Sequence, residues 1–373
     1  MRVLIVGAGI GGLAAARALS ADGHDVVVFE QAATPRDGGA AVTLWSNGTG
    51  ILGELNVSLD RVGGPIDVLE QRDYRGKVLA SVDVARSASH YGHPHICLPR
   101  RRLLERLAEG LPPAMIRYDH ACTEVAQDRE GVRVEFADGS GETGDLLIGA
   151  DGRSSVVRDT LWGHDPAEPS GWATWQGVTP IALDITSSRR GVMFVGPAGL
   201  CGLMPAGEEL LQWWFDQRWT PETPTPASPI AELRERFGGW AAPVREVLAT
   251  VSNEDIGFFP HYRHAVPTTW GTGRITLMGD AAHSMPPTRA QGANQTLEDA
   301  WALSVALRQG NDDVAGALRN YEHARAPKVG LVARQSGKED TNEYRPWMVR
   351  LLPDALVSRY YTRWLSQISN YLT

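Results

Sequence analysis

The first thirty residues carry the pattern that most limits how this chain can fold. An apolar run at residues 2–6 is followed by Gly7-Ala8-Gly9-Ile10-Gly11-Gly12, a helical run, and a second apolar run that ends at Phe29-Glu30. This order predicts a strand, a glycine turn, a helix and a parallel strand, which together form the βαβ unit that binds dinucleotides. The chain therefore begins with the pattern of a dinucleotide-binding α/β domain.

The residues of this unit have separate predicted roles. Gly7 permits the tight turn, Gly9 lets the backbone approach a pyrophosphate, and Gly12 allows the helix to pack closely on the strand. The helix N-terminus offers free N–H groups and partial positive charge to the phosphates. Glu30 is placed to accept hydrogen bonds from a ribose diol, and an acid there disfavours the 2′-phosphate of NADP. FAD or NAD is the expected ligand.

Length and charge exclude several classes of protein. A chain of 373 residues exceeds what one core usually supports, so two structural regions are expected. The net charge of -8 and the absence of a dense basic patch argue against a nucleic-acid partner. No apolar run is long enough to cross a bilayer, and three scattered cysteines suit a reducing compartment. A strand that starts at residue 2 leaves no room for a signal peptide, so a cytoplasmic location is expected.

Changes in composition along the chain predict its organisation. We expect an α/β fold with a Rossmann-like domain, an inserted and mostly antiparallel sheet domain, and a C-terminal helical segment. The insert is rich in tryptophan and proline and contains strand-like runs such as Gln212-Trp213-Trp214-Phe215. The predicted segments are 1–72, 96–165 and 268–335 for the Rossmann-like domain, 73–95 and 166–267 for the insert, and 336–373 for the helical segment.

Two further motifs follow predicted buried strands. The first is Asp151-Gly152-Arg153-Ser154-Ser155 and the second is Gly279-Asp280-Ala281-Ala282-His283. Together with Arg100 and the N-terminal unit, they resemble the FAD-dependent aromatic hydroxylases, the para-hydroxybenzoate hydroxylase-like group A flavoprotein monooxygenases. The resemblance spans residues 1 to about 330 in the family's order. It favours FAD as the bound dinucleotide.

The resemblance also implies a role for individual residues. Asp280 matches the family residue that binds the ribityl hydroxyls of FAD. Arg100 matches a residue that contacts the flavin side chain and the phosphates. Asp151 matches a position that is tied to the pyrophosphate and to the use of pyridine nucleotides. The segment at 291–294 resembles the family segment whose backbone N–H groups face the flavin ring. A helix N-terminus at this place stabilises an anionic reduced flavin. The implied cofactor contacts are Gly7, Gly9, Ile10, Gly11, Gly12, Glu30, Gln31, Arg100, Asp151, Gly279, Asp280, Gly292, Ala293 and Asn294.

Some residues depart from the family pattern or suggest another chemistry. Ala290 stands where the family usually has glycine, and Arg289 beside it is also atypical. His283 has the position of a base, but its family counterpart lies by the FAD phosphates, so a structural role is favoured. His261 and His264 have metal-like spacing without suitable acids or cysteines beside them, so no metal is expected.

The nearest resemblance within the family is to urate and other N-heteroaromatic hydroxylases, through Trp45-Ser46-Asn47-Gly48 and Trp175-Gln176-Gly177. The urate-type enzymes carry an arginine and a tyrosine where this chain has Leu200 and Gln212. Urate is therefore not the expected substrate. We expect a less anionic substrate, such as an indole, a phenol or a polyketide ring. The expected substrate pocket contains Trp45, Met204, Gln212 and Trp214.

The resemblance implies a reaction in which NADH or NADPH reduces FAD and O2 adds to form a C4a-hydroperoxide. One oxygen atom is then transferred to an aromatic ring, and the flavin rather than a protein residue carries the chemistry. Two alternatives stay open: a related FAD enzyme that performs epoxidation, oxidative decarboxylation or halogenation, and a flavin-binding protein without catalysis. A monomer or a homodimer is expected.

Overall fold

The computed structural model describes residues 1–35, 40–310, 313–343 and 353–372. The strands are β1 Arg2–Val6, β2 Asp25–Phe29, β3 Ala41–Leu44, β4 Gly64–Pro65, β5 Val68–Asp73, β6 Val78–Asp83, β7 Ile96–Pro99, β8 Ile116–Arg117, β9 Cys122–Gln127, β10 Val132–Phe136, β11 Gly141–Gly144, β12 Leu146–Gly149, β13 Glu168–Pro180, β14 Arg190–Gly196, β15 Gly199–Gly207, β16 Leu210–Arg218, β17 Gly257–Arg263 and β18 Ile275–Leu277. The helices are α1 Ile10–Ala21, α2 Ser46–Glu54, α3 Ala85–Tyr91, α4 Arg100–Ala108, α5 Val156–Trp162, α6 Asp184–Ser187, α7 Pro229–Phe237, α8 Ala242–Thr250, α9 Asp280–His283, α10 Gly292–Gln309, α11 Val314–Ser336 and α12 Asp354–Ile368.

A parallel sheet in the order β18-β12-β1-β2-β8 forms the first layer, and the predicted βαβ unit lies at its centre. Its strands are almost continuously apolar and buried, which is typical of parallel strands covered on both faces. α1 begins directly after the glycine turn. A Cβ on Gly12 would overlap the carbonyl oxygen of Gly7, so only glycine lets the helix pack this closely. The predicted Rossmann-like domain is confirmed.

The second layer is a large, mostly antiparallel sheet in the order β17-β13-β16-β15-β14-β5-β6. Side chains alternate along β16. Trp213 and Phe215 pack with α7 and α8 in an apolar cluster, whereas Gln212, Trp214 and Asp216 line a cavity on the opposite face. This sheet confirms the predicted fold class. The domain division itself stays a prediction, and β5, which spans the predicted boundary at residues 72 and 73, pairs within the large sheet.

Two long helices complete the framework. α10 runs from the loop after β18 across α1, and α11 packs against α10. α12 lies against β6, α3 and α11, and thereby closes one end of the large sheet. Within the predicted C-terminal segment, α12 is helical, whereas residues 344–352 lie outside the described residues. Among the described helices, none combines the length and the apolar character that crossing a membrane requires.

Candidate active site

A large cavity joins the two layers. Its volume is about 1400 Å³, which exceeds the roughly 300–1,000 Å³ of most small-molecule pockets. One end is formed by the glycine turn and the loops that follow β12 and β18, where the carboxyl ends of parallel strands meet. The other end is an apolar chamber under the large sheet. The cavity therefore has room for an extended cofactor and a second molecule beside it.

Most of the predicted site residues meet in this cavity. Those that line it are Gly7, Gly9, Ile10, Gly11, Glu30, Gln31, Arg100, Asp151, Gly279, Asp280, Gly292 and Ala293 from the predicted cofactor set, and Trp45, Met204, Gln212 and Trp214 from the predicted substrate pocket. Two members of the cofactor set do not line it. Gly12 packs under the turn, and the side chain of Asn294 is buried in hydrogen bonds to the backbone.

The glycine turn has the shape that a pyrophosphate needs. Gly7 has φ +105°, and a Cβ there would overlap the carbonyl oxygen of Ala150, so no other residue fits. Gly9 differs, because nothing lies within 4 Å of where its Cβ would be. The open side of Gly9 and the first N–H groups of α1 together form an anion-binding surface.

Glu30 anchors the turn from the end of β2. Its Oε2 accepts the backbone N–H of Ala8 at 2.9 Å, and its Oε1 accepts that of Ala32 at 3.0 Å. Each carboxylate oxygen has two acceptor positions, so one carboxylate can hold several donors at once. Glu30 borders the cavity, and its role toward a ribose diol stays a prediction.

A buried ionic network fixes the loop after β18. Asp299 Oδ2 accepts the backbone N–H of Gly279 at 2.9 Å and lies 2.6 Å from His283 Nε2, and Arg325 donates to Oδ1 at 2.8 Å. Burial alone would raise the pKa of Asp299, but His283 and Arg325 outweigh it, and the pKa lies below its ordinary value. His283 thus acts within the network, whereas Asp280 is exposed at the cavity surface.

The backbone is left-handed just before α10, at Ala290, where the sequence resemblance leads us to expect glycine. Ala290 has φ +48°, in the left-handed region that costs a residue with a Cβ about 1–2 kcal/mol. It follows a 3₁₀ turn at Pro287–Arg289 and directs the chain into the first turn of α10. The N-terminus of this helix, at Gly292 and Ala293, lines the cavity. It offers N–H groups and partial positive charge there.

Asp151 organises its own turn at the end of β12. Its Oδ1 accepts the hydroxyl of Ser155 at 2.5 Å, and its Oδ2 accepts the backbone N–H of Val157 at 3.2 Å. Burial is the largest influence and raises the pKa of this carboxyl above its ordinary value. The side chain borders the cavity, and its link to pyrophosphate or pyridine nucleotide stays a prediction.

The chamber under the large sheet is mostly apolar. Gln212 is held at both ends of its amide, since it accepts from the Cys97 thiol at 3.1 Å and donates to the carbonyl of Ala41 at 3.3 Å. Trp45 meets the ring of Tyr361 edge-on, with centroids 5.8 Å apart. Leu200 also lines the cavity. The chamber therefore presents aromatic surfaces and a fixed amide to a ligand.

One polar residue of the chamber was missed by the sequence analysis. Asp216 lines the cavity on β16 beside Trp214, and burial raises the pKa of its carboxyl to about 6. A signal was present in the sequence, because the alternation that places residues 212 and 214 on one face also places residue 216 there. Its hydrogen-bond partner Thr174 comes from another strand, as does His261, which is bonded to Thr174. Neither contact could be read from that alternation.

Comparison with known proteins identifies the family. Residues 1–336 match the model of the FAD binding domain family. The chain belongs to this family of flavoprotein monooxygenases. FAD is its cofactor class, and the family resemblance expected from the sequence is confirmed.

Individual relatives agree along nearly the whole chain. The sequence is 34% identical over 347 residues to a 3-amino-4-hydroxybenzoate 2-monooxygenase of Streptomyces platensis, covering 90% of this chain and 86% of the relative. It is 31% identical over 340 residues to an FAD-dependent urate hydroxylase of Klebsiella pneumoniae, with coverages of 88% and 87%. The crystal structure of Klebsiella pneumoniae HpxO complexed with FAD and uric acid has a TM-score of 0.92 and 27% identity, covering 98% of this chain and 97% of that one.

Proposed function

We propose that this flavoprotein inserts one oxygen atom from O2 into an aromatic or heteroaromatic small molecule and consumes NADH or NADPH. The observation that carries this proposal is the continuous cavity that connects the glycine turn to the apolar chamber of the large sheet. An FAD that extended along this cavity would bring its ring to a ligand held in the chamber. The oxygen-transfer route expected from the sequence resemblance belongs to this proposal.

The residues around the cavity fit FAD at three points. The open face of Gly9 and the N-terminus of α1 suit the pyrophosphate, the carboxylate of Glu30 suits the adenosine ribose, and the exposed carboxylate of Asp280 suits the ribityl hydroxyls. Bound FAD would supply hydride acceptance and oxygen activation. The protein would orient the two reactants and exclude water from the chamber.

The substrate is proposed to be a neutral ring such as an indole, a phenol or a polyketide. Leu200 and Gln212 line the chamber where the resemblance places the arginine and tyrosine of urate-type enzymes. An apolar wall with a fixed amide favours a flat ring with few charges. The names of the relatives state substrates that are aromatic or heteroaromatic rings, which supports a ring substrate. The benzoate and nicotinate in those names carry a carboxylate, so the neutral character proposed here rests on Leu200 and Gln212 alone.

The test uses the purified protein with FAD bound. A panel of phenols, indoles and N-heterocycles is screened for stimulated oxidation of NADH and of NADPH, and the products are weighed by mass spectrometry. A product with one added oxygen supports the proposal. A chlorinated, decarboxylated or epoxidised product supports the related-enzyme alternative. Unstimulated oxidation with every probe contradicts the proposal. The cytoplasmic location and the monomer or homodimer stay predictions.

A further inference from the structure

A chain of hydrogen bonds leads away from the chamber through the large sheet. Thr174 and Asp216 are partners in the register of β13 and β16, and the Thr174 hydroxyl is hydrogen-bonded to Asp216 Oδ1. The same hydroxyl lies 2.6 Å from His261 Nε2 on β17. On the other side of the imidazole ring, Nδ1 lies 2.8 Å from Glu339 Oε2. Four polar side chains from separate parts of the chain are thus joined in series.

Glu339, at the far end of this series of hydrogen bonds, has a strained backbone conformation. Glu339 has φ +47°, a left-handed conformation that costs a residue with a side chain about 1–3 kcal/mol. Its carboxylate also accepts the hydroxyl of Ser170 and the amide of Asn342. Glu339 and His261 are both almost completely buried. A strained backbone that places a buried carboxylate against a buried imidazole indicates that this pairing is specified by the fold.

The Thr174 hydroxyl links the two ends of this series. It lies within hydrogen-bonding distance of both Asp216 Oδ1 and His261 Nε2. A hydroxyl group can donate one hydrogen bond and accept another, so Thr174 can bond to both groups at the same time.

The surroundings of Asp216 show which charges act on it. Burial is the largest influence on its pKa and raises it to about 6, while His261 and the hydrogen bonds from Thr174 and Trp214 act in the opposite direction. Glu339 adds a like charge that raises the pKa further. Cys201 on β15 is also close enough to interact with the carboxyl electrostatically. Asp216 is thus a buried acid that changes charge near neutral pH.

We propose that Asp216 selects the substrate, by accepting a hydrogen bond from an N–H or O–H group on its ring. The proposal rests on the function proposed above and narrows its substrate class to donor-bearing rings that carry no carboxylate at this position. A ring carboxylate there would place a second anion beside Asp216 in a poorly hydrated chamber, which is unfavourable. The carboxylated rings named for some relatives would therefore bind poorly in this orientation.

The same contact gives the substrate donor a path for its proton. The N–H or O–H bond breaks, and its electron pair stays on the substituent, where it enriches the ring for attack. The proton moves to the ionised carboxylate of Asp216, which still accepts the hydrogen bond from Thr174. No oxidant or reductant is needed for this step. Thr174 also lines the cavity, but its hydroxyl is engaged by Asp216 and His261, so Thr174 and His261 serve as positioning residues.

The proposal is tested by ligand binding to the FAD-loaded protein, followed through the change in flavin absorbance. 2-Aminophenol and indole serve as donor-bearing probes and benzoate as the carboxylated probe. The unaltered protein is expected to bind 2-aminophenol at least about tenfold more tightly than benzoate. Asp216→Asn is expected to weaken binding of 2-aminophenol by about tenfold and to reduce this preference. Asp184→Asn, an exposed change on α6, is the matched control and should alter neither.

A second pair of variants tests the link to His261. Thr174→Val removes the hydroxyl and is expected to shift the pH midpoint of 2-aminophenol binding, whereas Thr174→Ser should keep it. An unchanged preference in Asp216→Asn, or tighter binding of benzoate to the unaltered protein, overturns the proposal. Because binding is measured without turnover, a protein that binds as expected but shows no stimulated NAD(P)H oxidation contradicts the proposed function instead.

Discussion

Asn294 holds the backbone of Trp45 against the first turn of α10, with its Oδ1 accepting the Trp45 N–H at 2.9 Å. Its amide nitrogen donates to the carbonyls of Thr43 and Ala290. The side chain thus joins β3, a wall of the chamber, to the helix that lines the cavity. Asn294→Ala would leave buried backbone groups without partners. We expect the free energy of unfolding to fall by about 1–3 kcal/mol, measured by urea denaturation.

The control for this change is Asn320→Ala on the exposed side of α11. A surface substitution of this kind should alter the free energy of unfolding by less than about 0.5 kcal/mol. Equal effects of the two substitutions would show that the bonds of Asn294 contribute nothing to stability.

Ala290→Gly should relieve the left-handed strain at the entrance to α10. The relief of about 1–2 kcal/mol is partly offset by the larger entropy of glycine in the unfolded chain, about 0.4–1 kcal/mol. We expect a net gain of up to about 1 kcal/mol in the free energy of unfolding. Ala324→Gly, exposed within α11, should instead lose about 1 kcal/mol. Calorimetry on both variants measures the contrast, and a loss for Ala290→Gly contradicts the argument.

The two glycines of the N-terminal turn should respond differently to alanine. Gly7→Ala places a Cβ on the carbonyl of Ala150 at a positive φ, so we expect little folded protein. Gly9→Ala meets open space and should fold, but its methyl group would occupy the surface proposed for the pyrophosphate. Circular dichroism and the flavin-to-protein absorbance ratio separate the two effects. Full FAD content in Gly9→Ala would argue against that location for the pyrophosphate.

Asp280→Ala tests the proposed ribityl contact. Asp280 is exposed at the cavity surface, so its loss should leave the free energy of unfolding of the apoprotein within about 0.5 kcal/mol. The loss of a charged hydrogen bond should weaken FAD binding by roughly 10- to 100-fold, as measured by titration of the apoprotein with FAD. Unaltered FAD affinity would remove Asp280 from the cofactor site.

The buried carboxyl of Asp216 should leave a signature in the pH dependence of stability. Its pKa of about 6 lies above the ordinary 3.8, so between these values the folded protein holds more protons than the unfolded chain. Its contribution therefore favours folding below about pH 4 and is lost as the pH rises through 6. The Asp216→Asn variant has no carboxyl to ionise, so it does not lose this stability as the pH rises. The free energy of unfolding of the variant minus that of the unaltered protein should therefore increase by about 1 kcal/mol from pH 5 to pH 7. Urea denaturation at both pH values measures the difference, and a constant difference contradicts the pKa.

Several parts of the site could be predicted because each depends on neighbouring residues. The turn at Gly7 and Gly9, the acid at Glu30 and the motif at Asp280 are short patterns that follow strands, and all four residues line the cavity. The motif at Asn294 predicted a role for backbone N–H groups and said nothing of its side chain, which forms hydrogen bonds to the backbone of β3 and Trp45. Position within a motif does not specify where a side chain points.

The sequence by itself determined the βαβ unit and the Rossmann-like fold class, because glycine conformation and strand periodicity are local properties of the chain. This local pattern left FAD and NAD open, and the resemblance to the aromatic hydroxylases favoured FAD. The tertiary structure alone decided that Asp216, Thr174 and His261 meet. Their contact depends on the register of β16 and β17 against β13, including an irregularity in the pairing of β13 with β17. Register between strands distant in sequence is set by how the whole sheet buries its apolar face, which no local pattern encodes.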